Sequence, residues 1–222
     1  MKTGQCLSSV IRSCAARAAY GSATFKGVSK GFPLLVIALA SLLLGGLSSC
    51  ASKPPQKKPW EVPQDAKSPD QIKWTYHPKG LTLDITADKN LNPYSGFSHT
   101  TLLCIYQLSA PTAFQELSGN IGGLVKLLQC ERFDPTAVKT DRLFITPGQK
   151  TTQVFDRAEG ASHVGLVAGF QQLQPGAATV QADFPVTRRR KHLWSMRHVY
   201  NPGTLTLTVM LGPDSIQNLG LD

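Results

Sequence analysis

The stretch "LTLDITAD", residues 81–88, indicates the fold class, because apolar and polar residues alternate along it without a break. Side chains of a β-strand point to opposite faces in turn, so this pattern predicts a strand with one buried and one solvated face. The residues on the apolar face are Leu81, Leu83, Ile85 and Ala87. The structure around this strand should therefore be layered and rich in β-sheet.

Six further segments have strand patterns at short spacing: residues 101–108, 142–146, 151–155, 163–173, 178–186 and 204–211. The first of them, "TLLCIYQL", is apolar on both faces, which predicts a central strand. Pro147-Gly148 separates 142–146 from 151–155, so these two segments are predicted to form a hairpin. Many short strands joined by proline-glycine turns predict a mainly β fold, an antiparallel two-sheet β-sandwich.

One segment, between the second and third predicted strands, has a helical period instead. Thr112 and Gln115 match a capping box at its start. Three glycines between residues 119 and 123 weaken the helix, so two short helices are the alternative. Apolar residues recur at helical spacing at Phe114, Leu117, Ile121, Leu124 and Leu128. We expect this helical segment to lie against the sandwich.

The N-terminal part of the sequence has the pattern of an exported lipoprotein precursor. Its apolar run, Leu34 to Leu47, is 14 residues long, whereas a bilayer-spanning helix needs about 20. Basic residues precede the run, and Leu47-Ser48-Ser49-Cys50 resembles the bacterial lipobox. The pattern predicts a signal peptide over residues 1–49 and a lipid on Cys50, the first residue of the mature chain. The alternative is an ordinary cleavage site followed by an incidental cysteine.

The basic character of the chain lies mostly in this signal peptide. The formal charge of the 222 residues is +9, and residues 1–49 contain five basic residues and no acidic one. Removal of the signal peptide lowers the charge from +9 to +4. The composition therefore does not predict a nucleic-acid partner.

Prolines recur between residues 50 and 78, where they remove backbone donors and stop helices and strands from propagating. We interpret residues 50–78 as a lipid anchor and a Pro/Lys-rich tether that holds a domain away from a membrane. Trp60 and Trp74 can alternatively dock on that domain, and the sequence leaves this open. Residues 79–222 have the size of one β-sandwich domain.

Two cysteines, Cys104 and Cys130, remain in the mature chain beside the anchor. An even pair in an exported protein predicts a disulfide. Such a bond would tie the far end of the helical segment to the central strand. Two free buried thiols are the alternative.

No arrangement of residues in the sequence predicts catalysis. The five histidines have no metal-ligand spacing, and there is no nucleophile elbow or phosphate-binding glycine loop. The sequence therefore predicts a protein that is not an enzyme and that has no metal, no cofactor and no small-molecule substrate.

The strongest cluster of charge is "RRRKHLW", residues 188–194. A solvated loop between strands is the first interpretation of this run. The alternative is contact with anionic headgroups or peptidoglycan, since basic residues are attracted to a charged surface. A cell-wall-binding or glycan-binding lipoprotein that uses residues 188–192 is therefore a second functional hypothesis.

The connection between the first two strands, residues 89–100, is longer than a plain hairpin turn requires. It contains apolar and aromatic residues of the kind that anchor protein interfaces. Asn90 and Asn92 can bond to their own backbone and set a turn. Leu91 and Phe97 can alternatively pack under the sandwich. The candidate partner-binding residues are Asn90, Leu91, Asn92, Pro93, Tyr94 and Phe97.

The order of these features resembles the TssJ family, also called SciN or VasD, the outer-membrane lipoproteins of bacterial type VI secretion systems. Leu91-Asn92-Pro93, Tyr106-Gln107-Leu108, Phe114 and the stretch "HVGLVAGF" (163–170) carry the resemblance, after a lipobox and a proline-rich tether. It extends over about residues 80–211.

The resemblance implies a transthyretin-like sandwich with a helical excursion after the second strand, and a structural role. It implies a lipid-anchored protein on the periplasmic face of the outer membrane. Its partner would be the periplasmic C-terminal region of the inner-membrane protein TssM, in a complex that includes TssL. The loop that makes the family's main contact with TssM corresponds here to residues 89–99. Apart from the lipid on Cys50, the resemblance implies no cofactor.

Overall fold

A computed structural model describes residues 56–191 and 197–221, without the side chains of residues 218, 219 and 221. The predicted signal peptide and Cys50 lie outside the described residues. The described strands are β1 (His77–Ala87), β2 (Thr101–Leu108), β3 (Ala137–Ile145), β4 (Lys150–Arg157), β5 (His163–Ala168), β6 (Thr179–Asp183), β7 (Val186–Arg190), β8 (His198–Pro202), β9 (Leu205–Leu211) and β10 (Ile216–Leu221). Two helices, α1 (Thr112–Ser118) and α2 (Ile121–Leu127), stand between β2 and β3.

The strands form two four-stranded sheets and a separate hairpin. The first sheet has the order β10-β9-β1-β4, the second has the order β3-β2-β5-β6, and β7 pairs with β8. The predicted mainly β fold with two sheets is confirmed. The prediction of a wholly antiparallel sandwich is wrong at one place, because β1 and β9 run parallel from the pair Leu81 and Leu205 to the pair Ala87 and Leu211.

The core lies between the two sheets, and the alternation in β1 places its apolar face there. Leu81, Leu83, Ile85 and Ala87 are all buried, as predicted. Along β2 every residue except Leu102 is buried, as expected of a strand that is covered on both faces. The predicted central position of β2 is confirmed, because β3 and β5 flank it.

The two helices cover the outer face of the second sheet. The Phe114 ring lies 5.9 Å from that of Tyr106. It packs directly against Gly165, where a Cβ atom on residue 165 would clash with the ring. The Tyr106 hydroxyl donates to the Leu127 carbonyl. Burial raises the pKa of Tyr106 to about 12, so the hydroxyl keeps this proton at neutral pH. A disulfide between Cys104 and Cys130, with Cα atoms 5.2 Å apart, joins the segment after α2 to β2.

The break between the helices changes which side chains are buried. Pro111 is the N-cap of α1 and no side chain caps it, so the predicted capping box at Thr112 is wrong. Asn120 begins α2 with its Oδ1 accepting from the Gly123 amide at 2.8 Å. This restart shifts the helical phase: Ile121 is 47% exposed, whereas Leu127 is buried.

The strand predictions fail in two places. Segments 142–146 and 151–155 do not pair with each other, because β3 pairs with β2 and β4 pairs with β1. Pro147-Gly148 therefore connects the two sheets and does not close a hairpin. Strands β7, β8 and β10 were not predicted, and the basic run 188–190 lies in β7 rather than in a solvated loop.

The segment before β1 packs against the domain from residue 64 onwards. Ala66 exchanges two backbone hydrogen bonds with Tyr200 of β8, both at 3.0 Å. Ile72 is buried, and Trp74 packs against the core with its ring 6.2 Å from that of Phe184. Of the two interpretations that the sequence left open, docking is observed for Trp74. Trp60 is half-buried, and its ring lies 5.5 Å from that of Tyr76. A free tether can therefore use only residues before this point.

Candidate functional site

The loop between β1 and β2 stands at the end of the sandwich where β1 and β9 finish. Its first turn is held by Asp88, whose Oδ1 accepts from the Asn90 amide at 2.7 Å and whose carbonyl accepts from the Leu91 amide at 3.2 Å. Leu91 is fully buried in the core. This buried side chain fixes the base of the loop to the sandwich.

Asn92 holds the middle of the loop through contacts with residues far away in sequence. Its amide donates to the Pro213 carbonyl at 2.7 Å, and its Oδ1 accepts from the Gln171 amide at 2.6 Å. Its φ is +50°, a left-handed conformation that asparagine tolerates better than most residues. The expectation that Asn90 and Asn92 set a turn by bonding to their own backbone is wrong, since Asp88 makes the local bond.

A two-residue turn forms the tip of the loop. Tyr94 and Phe97 exchange backbone hydrogen bonds of 2.8 and 3.0 Å. Ser95 and Gly96 between them have φ values of +50° and +81°, both positive as in a type I′ hairpin turn. The Ser-Gly dipeptide is a turn signal, and it could have located this tip from the sequence.

The turn presents two aromatic side chains to solvent. Tyr94 is 58% exposed and Phe97 is 73% exposed. The rings of Tyr94 and His99 meet edge to face at 6.2 Å, which supports the tyrosine from one side. Exposed aromatic residues on a well-held loop are the usual anchors of protein interfaces. This tip is suited to bind another protein.

The structure divides the six sequence-predicted loop residues into two groups. Leu91 and Asn92 are buried and position the loop, so their side chains do not face a partner in this conformation. Asn90 is exposed beside Ser98, whose hydroxyl lies 3.4 Å from its Oδ1. Pro93, Tyr94 and Phe97 are the exposed residues that can make contact.

The opposite end of the sandwich carries the β7–β8 hairpin and the segment that precedes β1. Arg189 of β7 forms an ion pair with Asp65 at 2.7 Å, and the Asp65 amide donates to Asn201 Oδ1 at 3.0 Å. The hydrogen bond from Arg189 holds the pKa of Asp65 below its usual value. Sequence reasoning missed this association because its members are more than 120 residues apart.

Arg157 stabilises this end of the sandwich from a buried position. It is 1% exposed, and its guanidinium donates to the carbonyls of Gly203 at 2.7 Å and Thr75 at 3.2 Å. The guanidinium carbon lies 5.3 Å from the centre of the Trp74 ring and 5.5 Å from that of Phe184. No carboxylate pairs with it in the part of the chain that the structure describes, and burial lowers its pKa. This arginine is a structural residue, and no local sequence pattern indicates its role.

Within residues 56–191 and 197–221, no group of three or more His, Cys, Asp or Glu side chains is arranged to hold a metal ion. No helix in the same ranges is both long and apolar enough to cross a bilayer.

Comparison with solved structures gives matches of low sequence identity. The type VI secretion lipoprotein TssJ1 from Pseudomonas aeruginosa is 21% identical, with a TM-score of 0.49, over 67% of this chain and 96% of that one. Lip from Serratia marcescens, described as a membrane-bound component of the type VI secretion system, is 17% identical, with a TM-score of 0.46, over 62% and 94%. A chain in a structure described as the TssM C-terminal domain from EAEC is also 17% identical, with a TM-score of 0.45, over 63% and 96%. No curated protein matches the chain.

The family comparison is decisive because it covers most of the folded domain. The model of the family described as "T6SS-SciN: Type VI secretion lipoprotein, VasD, EvfM, TssJ" matches residues 79–214, from the start of β1 to the loop before β10. Members of this family are structural lipoproteins and not enzymes. Since the match spans more than half of the 222 residues, this protein belongs to the TssJ family of type VI secretion lipoproteins.

Proposed function

We propose that this protein is the outer-membrane lipoprotein of a type VI secretion membrane complex and binds the periplasmic C-terminal region of TssM through the loop at residues 89–99. TssL belongs to the same complex. The observation that carries the proposal is the exposure of Tyr94 and Phe97 on a turn that is held to the sandwich by buried residues. Family membership supports the choice of partner.

The contact should be made by a preorganised surface. Leu91 is packed in the core, and Asn92 is bonded to Gln171 and Pro213, so the tip is fixed before a partner arrives. Binding then costs little conformational entropy, since few side chains have to become ordered. The two aromatic rings supply apolar area without a charge that has to be desolvated.

The attachment to the membrane is the second part of the proposal. A lipid on Cys50 would hold the mature chain at the periplasmic face of the outer membrane. One acyl chain gives only reversible attachment and two or more give stable attachment, and a bacterial lipoprotein normally carries three. Palmitate labelling that is present in the intact protein and absent from Cys50→Ser tests this part, and labelling of the variant would contradict it.

The loop is tested by point substitution. Replacement of the whole loop would also remove Leu91 from the core, so Tyr94→Ser with Phe97→Ser is the better variant. Both side chains are exposed, and we expect thermal unfolding to be unchanged. Affinity for the TssM periplasmic region from the same gene cluster should fall at least about 30-fold, because interface anchors contribute about 2 kcal/mol or more.

The matched control removes exposed apolar side chains elsewhere. Ile121 and Val125 on α2 are 47% and 52% exposed, so Ile121→Ser with Val125→Ser changes a comparable surface away from the loop. This variant should bind TssM as the wild type does. Equal loss in both variants, or full binding by the loop variant, would show that the loop is not the contact.

The second hypothesis, a cell-wall-binding or glycan-binding lipoprotein that uses residues 188–192, depends on the basic hairpin. The structure places Arg188–Arg190 on exposed β7, and His192 lies outside the described residues. Retention of the protein on isolated peptidoglycan that is lost when Arg188–Lys191 are neutralised would favour it.

A further inference from the structure

The β7–β8 hairpin exposes a run of positive charge on both of its sides, with Arg188 and Arg190 on one side of β7 and Arg189 on the other. All five residues of β7 are exposed, and three of them are arginines that lead directly into exposed Lys191. We propose that this surface, named here the basic face (Arg188, Arg189, Arg190 and Lys191), binds the phosphate groups of anionic phospholipids in the membrane that holds the lipid on Cys50. The choice of membrane rests on the proposed function, whereas the charge and the geometry of the hairpin do not depend on it.

The charge on the basic face is largely uncompensated. Arg189 is paired with Asp65 at 2.7 Å. The Arg188 guanidinium lies 3.0 Å from His198 Nε2 and does not contact a carboxylate in the described part of the chain. Within the described residues, Asp65 is the only carboxylate that forms an ion pair with this face. A surface of this kind attracts anions, and guanidinium groups bind phosphate oxygens in a bidentate manner.

The N-terminal segment joins the domain beside the basic face. Residues 65 and 66 bond to Asn201 and Tyr200 of β8, so the N-terminal segment reaches the domain beside this hairpin. The chain therefore meets the domain at this hairpin, and β1 then leads away from it.

A cleft next to the hairpin has room for a headgroup. Its volume is about 510 Å³, and it is lined by Asp65, Lys67, Lys191, Arg197, His198 and Val199. Its three Lys and Arg side chains outnumber the one carboxylate, so a phosphate entering it would meet net positive charge.

The fold lies within residues 56–221, so the test uses the chain from residue 50, exported by an ordinary signal peptide and carrying Cys50→Ser. Without its own lipid, this protein should sediment with vesicles of phosphatidylethanolamine and phosphatidylglycerol at 7:3, and not with phosphatidylcholine vesicles. Each basic residue at an anionic surface contributes about 1 kcal/mol, or about fivefold in partition. Arg188→Gln, Arg190→Gln and Lys191→Gln together should therefore reduce vesicle binding by about 100-fold at low salt.

The matched control has the same net charge. Lys126, Arg142 and Lys150 are exposed away from the hairpin, and their joint replacement by glutamine should leave vesicle binding within about threefold of the wild type. Equal loss in both variants would overturn the proposal, since it would show dependence on net charge alone. Binding to peptidoglycan sacculi without binding to anionic vesicles would also overturn it. TssM affinity, measured on the same variants, should be unchanged, which separates this outcome from a failure of the loop proposal.

Discussion

The two ends of β1 differ in how they are held and in what they offer to a partner. At the C-terminal end, the loop is held mainly by uncharged groups, namely buried Leu91 and the Asn92 amide, beside one turn hydrogen bond to the Asp88 carboxylate, and it exposes two aromatic rings. At the N-terminal end, the contacts are made by charged groups, Arg157 and the pair of Asp65 and Arg189, and the exposed surface is basic. The 11 residues of β1 are joined by ten steps of about 3.3 Å, which place these ends about 33 Å apart.

Because the two ends are held by different contacts, the loop surface and the hairpin surface can be altered independently. Substitutions more than about 10 Å apart that share no partner usually have additive effects on stability. Salt should weaken contacts at the hairpin end, because charges on that exposed surface are screened, and should affect the aromatic tip little. A substitution at one end should therefore leave the properties of the other end unchanged.

The largest effect is expected from Arg157→Leu. The substitution leaves the carbonyls of Gly203 and Thr75 without their buried donor and removes the cation that lies beside the Trp74 and Phe184 rings. The free energy of unfolding should fall by about 3 kcal/mol in urea denaturation. Amide exchange should accelerate in residues 64–78 more than in the loop. If TssM binding by the folded variant fell as much as stability did, the two ends would not be independent.

A smaller effect is expected from Asn92→Ala. The alanine cannot accept from the Gln171 amide and does not favour a φ of +50°, so stability should fall by about 1–2 kcal/mol. TssM affinity should fall about 10-fold because the tip is no longer preorganised. Asn92→Gly permits the same φ and removes only the acceptor, so it should lose less stability than alanine. Equal losses for glycine and alanine would assign the whole effect to the hydrogen bond.

Acid should produce the smallest change, and it should appear at the hairpin end. The pKa of Asp65 is lowered by the hydrogen bond from Arg189, and the pKa of Asp156 is lowered by the hydroxyl of Tyr76. A carboxyl with a lowered pKa stabilises the fold above its unfolded value of about 3.9, and the contribution is lost as pH falls through the folded pKa. Stability should therefore be level from pH 7 to 5 and should decline below about pH 4.

Indole fluorescence checks this acid response, because Trp74 lies at the hairpin end. The paired substitution Asp65→Asn with Asp156→Asn should reduce the dependence on pH below 4. A decline that is identical in this variant would show that other carboxyl groups cause it.

The sequence predicted the parts of the fold that depend on local pattern. The alternation of β1 and the two-sided burial of β2 were both correct, since period and burial are read from neighbouring residues. The parallel pairing of β1 with β9 joins residues more than 120 positions apart, and no local pattern specifies it. β7 was missed because its arginines show no alternation, and it is exposed throughout.

The sequence indicated an exposed loop with aromatic residues but not the different structural roles of the residues within it. The length and aromatic content of the loop pointed to residues 89–100, and Tyr94 and Phe97 are indeed exposed. Leu91 and Asn92 looked equivalent to them in sequence. Their burial depends on contacts with Pro213 and Gln171, which come close only after the sheets are formed.

A helical phase that restarts at Asn120 explains why Leu127, and not Ile121, is buried.

The pairing of β1 on both sides has a mechanical consequence under the proposed function, in which the N-terminal segment leads to the lipid and the loop binds the partner. Tension between the N-terminal segment and the loop would run along β1, which is bonded to β4 on one edge and to β9 on the other from Leu81 to Thr86. Such a pull loads these hydrogen bonds in shear, so many must break together, whereas a peeling force would break them singly. Under the proposed function, β1 would therefore resist this pull better than it would resist a peeling force.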